Sequence, residues 1–374
     1  MDVHFLTKDA FWADESSLLL QANGLEIMPE NSESSVVFAT SGSTGKPRFF
    51  ALSKRALLVS AHAVNQHLQV DSASVWGLCL PWWHVGGFGV LARAFAAHSA
   101  HAVYPGKWNP QEAWAWLQRE RVTHLSLVPT QLHDLVQAGC SAPPALRAVV
   151  IGGGKLADDL AVRARALHWP ILASYGMTEA GSQIATQLPG AESEGLKLLP
   201  CWRARTTPDG GIEIAGEALF HGQWFAQNDD WRYEARVGEW YATQDMGEVV
   251  GTHLRIHHRS DSLVKVLGEL VNPLAIEESM VELGLPLGRI VVLALPEARR
   301  QHELVLVHEN LDRALIGRVV DAYHQSCPGF AKMSFVHGVS SFPRSDLGKI
   351  QRQALRESVI VARATRKSSL APEG

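Results

Sequence analysis

The sequence has few cysteines, no long apolar run and no excess of basic residues. Its four cysteines are widely spaced and form no C-x-x-C pair: Cys79, Cys140, Cys201 and Cys327. This spacing predicts neither a disulfide framework nor a zinc site, and it fits a reducing cytoplasm. No run of about 18 apolar residues predicts a membrane span. The N-terminal segment has acidic residues and no apolar core typical of a signal peptide. The net charge of −4 gives no reason to expect nucleic acid or an anionic membrane as a partner.

The chain has enough apolar residues to bury a large core. Its 374 residues, 46% of them hydrophobic, suffice for two or three domains. From about residue 54 to 180, helical and strand patterns alternate, which predicts an α/β fold with a mostly parallel sheet covered on both faces. In such sheets ligands bind beyond the carboxyl ends of the strands. The candidate site loops there are 81–87 (PWWHVGG), 151–155 (IGGGK) and 174–181 (SYGMTEAG).

After about residue 200 the pattern changes to short strands joined by Gly/Asp turns, which predicts a β-rich subdomain. From about residue 262 helices and strands alternate again. We therefore expect a large N-terminal domain over residues 1–260 and a small α+β domain over residues 261–374. No internal repeat is evident.

The stretch ATSGSTGKPRFFALS, residues 39–53, has the composition of a phosphate-binding loop. It is not a Walker A loop, because Thr40 stands where the first glycine belongs and Pro47 replaces the hydroxyl residue after Lys46. Glycines let backbone N–H groups approach an anion, and hydroxyls add donors. Taken alone, the stretch also fits an ordinary Gly/Ser surface turn, so other motifs must decide.

Five motifs, in this order along the chain, resemble those of the adenylate-forming superfamily, which includes acyl-CoA synthetases, luciferases and peptide-synthetase adenylation domains. They are 40–47 (TSGSTGKP), 175–179 (YGMTE), 241–245 (YATQD), 259–277 (RSDSLVK continuing through Gly268 and Asn272-Pro273 to Glu277) and 343–349 (PRSDLGK). One motif alone is weak, but five in family order identify the chain as a member of this superfamily.

The resemblance implies a reaction in which a carboxylate attacks the α-phosphate of ATP, pyrophosphate leaves, and a thiol, such as that of coenzyme A, displaces AMP. It implies that the predicted ATP-binding residues are Thr40, Ser41, Gly42, Ser43, Thr44, Gly45, Lys46, Ser174, Tyr175, Gly176, Asp245 and Arg259. Thr178 would contact the α-phosphate, and Glu179 would help hold Mg²⁺. Lys349 would bridge the carboxylate and the α-phosphate as charge builds.

The family also implies two orientations of the small domain. That domain would rotate about Asp261, so that Lys349 serves adenylation and the loop of Lys265 and Gly268 later forms a thiol channel. Three positions depart from the family pattern: Arg48 replaces a lysine, while Gln244 and His258 replace glycines. The turn at Gln244 is thus expected to be built differently. The phosphate loop also lies close to residue 1, so we expect a shortened N-terminal subdomain relative to the family.

Two stretches resemble the o-succinylbenzoate–CoA ligase branch of menaquinone synthesis. They are YGMTEAGSQIAT, residues 175–186, and LPWWHVGGFGVLARAF, residues 80–95, which contains His84 and a lone Arg93. The substrate of that branch has a second, unreactive carboxylate, which Arg93 would bind. His84 would line the acyl pocket or gate the thiol channel. Gly152, Gly153 and Gly154 would let adenine or the acyl group lie against the backbone.

Several alternatives stay open from the sequence. Arg93 also fits an arginine that reaches solvent or pairs with an internal acid, and His84 fits a loop histidine with structural bonds. The chain also fits another aryl- or acyl-CoA ligase, or a non-catalytic protein that binds a nucleotide or acyl group. The thiol donor, coenzyme A or a carrier arm, and a homo-oligomeric state are likewise undecided.

Overall fold

A computed structural model describes residues 3–29, 33–40, 48–190, 195–227, 230–260, 263–297, 299–345 and 348–368. The chain divides into two compact units, Met1–His257 and His258–Gly374. No helix in these described ranges combines the length and apolar character needed to cross a membrane.

The helices of the first unit are α1 (Asp9–Ala13), α2 (Lys54–Leu68), α3 (Val85–Ala96), α4 (Pro110–Arg119), α5 (Pro129–Gln137) and α6 (Asp158–Ala166). Short 3-10 turns cover Val3–Thr7 and Thr178–Ala180. The strands are β1 (Leu18–Gln21), β2 (Gly24–Ile27), β3 (Ser35–Thr40), β4 (Arg48–Ser53), β5 (Val75–Leu78), β6 (Ala100–Val103), β7 (His124–Leu127), β8 (Ala148–Ile151), β9 (Ile171–Met177), β10 (Ser182–Thr186), β11 (Leu196–Leu198), β12 (Trp202–Thr206), β13 (Gly211–Gly216), β14 (Gly222–Gln227), β15 (Asp230–Ala235), β16 (Tyr241–Val250) and β17 (His253–Arg259).

The described strands of this unit form two sheets. One has six strands in the order β15-β14-β4-β3-β1-β2, and the other has eleven in the order β12-β13-β16-β17-β11-β10-β9-β8-β7-β5-β6. In the larger sheet β6, β5, β7, β8 and β9 are parallel, and β10 pairs antiparallel with β9. Apolar residues of α2 and α3 pack in the core on one side of the parallel part, and those of α4, α5 and α6 in the core on the other. The α/β prediction with a doubly covered parallel sheet is confirmed.

Local sequence explains where these helices begin. The Ser53 side chain accepts a hydrogen bond from the Ala56 N–H at the start of α2. The Asn109 side chain accepts from two N–H groups at the start of α4, directly before Pro110. Side-chain oxygens at this position satisfy N–H groups that have no partner within the helix. Asn109 is thus the N-cap of α4.

The second unit contains β18 (Val264–Val266), β19 (Glu269–Val271), α7 (Pro273–Glu282), β20 (Ile290–Glu297), β21 (Gln301–Glu309), α8 (Arg313–Ser326), β22 (Met333–Val339) and α9 (Arg352–Ser368). Strands β18 and β19 form a hairpin, and the described strands β20, β21 and β22 form a three-stranded sheet in that order. Apolar residues from α7 and α8 pack in one core against the sheet, and those from α9 pack in another.

The candidate segments lie at the ends of strands, but not all of their residues form loops. Segments 81–87 and 151–155 follow or end the parallel strands β5 and β8, with residues 85–87 already in α3, and residues 174–177 belong to β9. The reason is that β10 pairs with this segment, with Ser182 opposite Met177 and Gln183 opposite Gly176. The antiparallel partner extends β9 beyond its parallel neighbour, so the loop begins only at Thr178.

Candidate active site

Asp245 and Tyr175, on two strands of the larger sheet that are not neighbours, come into contact. Asp245 lies on β16 with only 6% of its surface exposed, and its carboxylate accepts a 2.6 Å hydrogen bond from the Tyr175 hydroxyl on β9. The Thr243 hydroxyl accepts the Asp245 N–H at 3.2 Å and donates to the Ile212 carbonyl at 2.8 Å. A short O–H···O bond to a carboxylate is a strong one. The fold therefore holds the Asp245 carboxylate through Tyr175 and the Asp245 backbone through Thr243.

Gln244 has a backbone conformation that glycine adopts readily. Its φ is +64°, in the left-handed region that side chains other than glycine seldom adopt. The expectation of a differently built turn stays a prediction. The neighbouring bonds of Thr243 and Asp245 hold the backbone here, so the glutamine adopts a conformation that costs about 1–2 kcal/mol.

A second tyrosine–carboxylate contact lies at the end of β9. Glu179, in the 3-10 turn, accepts a hydrogen bond from the Tyr241 hydroxyl at 3.3 Å, and its backbone carbonyl accepts the Phe220 N–H at 2.8 Å. Tyr241 is the first residue of β16, so motifs 175–179 and 241–245 meet through both contacts. Thr178 opens the same turn, which ends where Gly181 takes φ +61°. The sequence analysis gave Tyr241 no role of its own.

Gly176 lies where two backbones approach closely. A Cβ atom added there would lie 1.7 Å from the Ser182 carbonyl oxygen. Ser174, two residues earlier, donates through its hydroxyl to the Ala185 carbonyl at 3.3 Å and accepts from the Thr186 hydroxyl at 3.0 Å. Both residues therefore have a structural role in the β9–β10 pairing. Their role in nucleotide binding stays a prediction.

Arg93 is a buried cation with neutral partners. It lies on α3 with 2% of its surface exposed. Its guanidinium donates to the Ser126 hydroxyl on β7 at 3.2 Å and to the Ser182 hydroxyl on β10 at 3.1 Å, and it lies 5.3 Å from the ring centre of Trp76. Burial lowers the pKa of Arg93 to about 9, which leaves the side chain charged at neutral pH. Within the described ranges, no Asp or Glu pairs with it.

These contacts decide between the structural alternatives for Arg93. The side chain does not reach solvent, and a described acid does not neutralise it. Buried arginines normally have a charged partner, because desolvating an unpaired charge is costly. Its partner Ser182 stands opposite Met177 of the YGMTE segment, so the arginine adjoins the site of Tyr175 and Asp245. Ser126 was not predicted as a site residue. The one indication in the sequence is that it is a polar residue within the apolar strand HLSL.

His84 and the three glycines follow neighbouring parts of the parallel sheet. His84 directly precedes α3 and is half-buried, with its ring 6.0 Å from that of Trp83. A Cβ atom at Gly152 would meet nothing within 4 Å, and one at Gly154 would meet only Pro129 at 3.5 Å. Gly153 has φ +75°. The backbone thus leaves open space where the sequence predicted a ligand, and the roles of these residues stay predictions.

The predicted phosphate loop and hinge fall largely outside the described residues. Ser41, Gly42, Ser43, Thr44, Gly45, Lys46 and Asp261 belong to ranges that the structure does not describe. Their flanking residues are described: Thr40 on β3 pairs with Arg48 on β4. The roles assigned to these residues remain predictions.

The remaining predicted residues belong to the second unit or end β17. Arg259 is the exposed last residue of β17. Lys265 lies opposite Leu270 in the β18–β19 hairpin, and Gly268 takes φ +89° in its turn. Lys349 lies in a short loop before α9, where its carbonyl accepts the Ser345 N–H at 2.8 Å. Their functional roles also stay predictions.

The arrangement of strands and helices is the fold of the adenylate-forming enzymes, as the match to solved structures shows. Escherichia coli MenE, solved as a point variant with bound OSB-AMS, matches with a TM-score of 0.73 and 24% identity over 90% of this chain and 71% of that one. Bacillus subtilis o-succinylbenzoate CoA synthetase (MenE) with OSB-AMP matches at 0.74 and 22% identity, over 89% and 71%. ATP-bound MatB from Rhodopseudomonas palustris matches at 0.70 and 23%, over 89% and 69%.

The model of the AMP-binding enzyme family matches residues 5–216, and the chain belongs to that family. A 2-succinylbenzoate–CoA ligase of Bacillus cytotoxicus is 30% identical over 276 residues, which are 70% of this chain and 57% of that protein. One from Staphylococcus aureus is 34% identical over 155 residues, 41% of this chain and 31% of that protein. Each match therefore covers less than two thirds of the relative's own length.

Proposed function

We propose that the protein is an AMP-forming acid–thiol ligase whose acid is o-succinylbenzoate. ATP and the acid give an acyl-adenylate and pyrophosphate, and coenzyme A then gives o-succinylbenzoyl-CoA and AMP, a step of menaquinone synthesis. The observation that carries the proposal is Arg93, a buried cation whose described hydrogen-bond partners are two neutral hydroxyls. The names of the curated relatives support the same acid.

Arg93 suits a dicarboxylate substrate for an electrostatic reason. The Ser126 and Ser182 hydroxyls hold the guanidinium but do not neutralise it. A substrate carboxylate would supply the missing negative charge in a water-poor site, where a charge-assisted pair is strong. The reacting carboxylate would lie toward the nucleotide, and the unreactive one would lie toward Arg93. A monocarboxylate would leave the buried charge unpaired, so the site selects against it.

The nucleotide would bind to the β9 and β16 residues. Asp245 would accept hydrogen bonds from the ribose hydroxyls in addition to the one from the Tyr175 hydroxyl, since a carboxylate has about four acceptor sites. Gly176 and Ser174 would lie along the base and ribose, and Thr178 would face the α-phosphate. The loop from Thr40 to Lys46 would hold the outer phosphates. Lys349 would stabilise the charge that develops on the attacked phosphate.

Mg²⁺ fits the donors that this site offers. No cluster of three or more His, Cys, Asp or Glu that could hold a metal occurs within the described ranges, so Glu179 would be a single carboxylate ligand. Mg²⁺ is commonly bound in this way, through one or two carboxylates, substrate phosphates and waters. Tyr241 would orient that carboxylate through its hydroxyl. The ion would neutralise phosphate charge during attack.

Coenzyme A and a cytoplasmic location complete the proposal. A carrier-protein arm has the same thiol chemistry, so the two thiols must be compared directly. The four cysteines are all free in the structure, which suits a reducing compartment. Burial raises the pKa of Cys79 and Cys201, so neither thiol suits the role of an acyl-accepting nucleophile.

The first test is acid-dependent pyrophosphate release with ATP and Mg²⁺ over a panel of aryl and acyl acids. We expect o-succinylbenzoate to give the highest kcat/KM, followed by thioester formation with coenzyme A. A protein that binds ATP but releases no pyrophosphate with any acid would instead be a non-catalytic member of the family. A different preferred acid would make it another acyl-CoA ligase.

Substitution of Arg93 tests the acid assignment. Losing a buried Arg–carboxylate contact costs about 2–5 kcal/mol, so Arg93→Ala should lower kcat/KM for the dicarboxylate by that amount. The loss should be much smaller for an analogue that lacks the unreactive carboxylate. Arg236→Ala is a matched control, because Arg236 is partly buried in the same unit but donates to the Phe220 and Gly238 carbonyls. Equal losses for both acids in Arg93→Ala would remove Arg93 from substrate recognition.

A further inference from the structure

A partly buried ion pair anchors the first residue of α9. Glu277, on α7, has a side chain only 13% exposed. Arg352 donates from its two terminal nitrogens to the two carboxylate oxygens of Glu277, at 2.6 and 2.5 Å. The Val292 N–H of β20 also donates to this carboxylate at 2.6 Å. This pair therefore links α7 and β20 to the start of α9 with the planar, two-bond geometry that fixes orientation best.

The same helix start is continuous with the loop of Lys349. Residues 343–345 pair with residues 348–351, with the Gln351 N–H bonded to the Pro343 carbonyl at 2.8 Å and a bridge between Arg344 and Ile350. On the other strand of this loop, Arg344 donates to the Gly348 carbonyl at 3.1 Å and to the Gly288 carbonyl at 2.9 Å. We call the described residues 343–345 and 348–351 the lysine loop. It has Arg344 on one strand and passes into α9 at Arg352.

We propose that Arg352 is a positioning residue for Lys349, with Glu277 as its anchor. The inference rests on the proposed function, in which Lys349 acts at the α-phosphate. A lysine side chain has a flexible four-carbon stem, so its backbone must be held for the ammonium to reach one phosphate reliably. Arg352 needs no contact with substrate to do this, since it fixes the helix start three residues after the lysine.

Burial makes the pair sensitive to the loss of either partner. Removing Arg352 leaves a carboxylate that is largely out of water without its cation, and such uncompensated charges disrupt their surroundings. Burial already raises the pKa of Glu277 even with the arginine present. The Glu277 side chain must then protonate or move toward water, and either response releases the start of α9.

The test separates the two half-reactions. Adenylation is measured as pyrophosphate release from acid and ATP, and thioester formation is measured from synthetic acyl-adenylate and coenzyme A. Misplacing a reacting group by about 1 Å costs on the order of 10²-fold, so Arg352→Ala and Glu277→Gln should lose adenylation on that scale. Both should form thioester close to the wild-type rate. Arg352→Lys keeps the charge but not the paired donors, so its loss should be intermediate, and it decides the question if Arg352→Ala does not fold.

Arg363→Ala is the matched control. Arg363 lies further along α9 and pairs with the buried Glu303 of β21, so its removal breaks a second buried ion pair of the same helix away from the lysine loop. A general weakening of the second unit would make Arg363→Ala lose adenylation as much as Arg352→Ala does. That result, or an equal loss of both half-reactions in Arg352→Ala, would overturn the inference.

Amide hydrogen exchange gives a readout that does not depend on activity. The Ser345, Gly348 and Gln351 N–H groups are hydrogen-bonded within the lysine loop. They should exchange faster in Arg352→Ala than in wild type and Arg363→Ala, and unchanged exchange in Arg352→Ala would contradict the inference. If the wild-type protein releases no pyrophosphate with any acid, the proposed function fails, and this exchange measurement alone decides whether Arg352 holds the loop.

Discussion

Asp245 is a carboxylate that the fold buries, and a buried carboxylate needs hydrogen-bond donors. The Tyr175 hydroxyl is one such donor, at 2.6 Å. The two residues were assigned to ATP from separate motifs, 70 positions apart, and the sequence carried no sign that they touch. The contact suggests that the tyrosine acts on the nucleotide partly through the aspartate, by fixing the orientation of its carboxylate.

Tyr175→Phe tests this contact at the residue scale. A hydrogen bond to a charged group contributes about 1.5–3 kcal/mol, so the KM for ATP should rise on the order of 10- to 100-fold. The KM for the acid should change little. Tyr233→Phe is the control, because the Tyr233 hydroxyl bonds to His221 rather than to a predicted site residue. An ATP KM in Tyr175→Phe that equals the wild-type value would show that the hydroxyl does not prepare Asp245 for the ribose.

Arg93 shows what sequence could and could not establish about a single residue. A lone arginine in an apolar helix indicated a buried or snorkelling cation, but not which. The choice depends on partners far away in sequence, on β7 and β10, whose hydroxyls reach the guanidinium. Only the folded chain brings Ser126 and Ser182 to one point.

At the scale of elements, regular strands and caps were predictable because they depend on neighbours in sequence. The parallel strands read as short apolar runs, and Asn109-Pro110 marks the start of α4. The antiparallel pairing at the end of β9 was not predictable, because it depends on β10, which follows a turn and pairs back on β9. Position 176 requires glycine because the β10 backbone lies so close to it, and not because residue 176 forms a turn.

Gly176→Ala and Gly152→Ala form a matched pair for this element. A Cβ atom at Gly176 would overlap the Ser182 carbonyl, at 1.7 Å, whereas one at Gly152 meets nothing within 4 Å. Overpacking of this kind costs about 1–3 kcal/mol or more, so Gly176→Ala should lower the free energy of unfolding, measured in urea, by at least that amount. Gly152→Ala should be as stable as wild type. Equal stability of the two variants would mean that β9 and β10 do not approach as described.

At the scale of the whole molecule, the segment before the phosphate loop packs its aromatic residues onto α3. Phe11 and Trp12 of α1 contact Phe88 at ring distances of 6.1 and 5.8 Å, and Trp12 stacks on Phe95 at 5.2 Å. The buried Lys54 at the start of α2 lies 4.9 Å from the Phe11 ring centre. Helix α3, which carries Arg93, is thus covered by the segment that contains α1.

We expect each half-reaction to need a different part of the second unit. Lys349 lies in the lysine loop, whereas Gly268 lies in the separate β18–β19 hairpin, where Leu267 and Gly268 take φ +54° and +89°. Two left-handed residues in a row form a tight turn that favours glycine. Lys349→Ala should lose adenylation by on the order of 10²–10³-fold, the cost of removing one group that stabilises developing charge, and still form thioester from synthetic acyl-adenylate. Gly268→Val strains the hairpin turn and should do the reverse. If each variant lost both half-reactions equally, one fixed arrangement of the second unit would have to serve both steps.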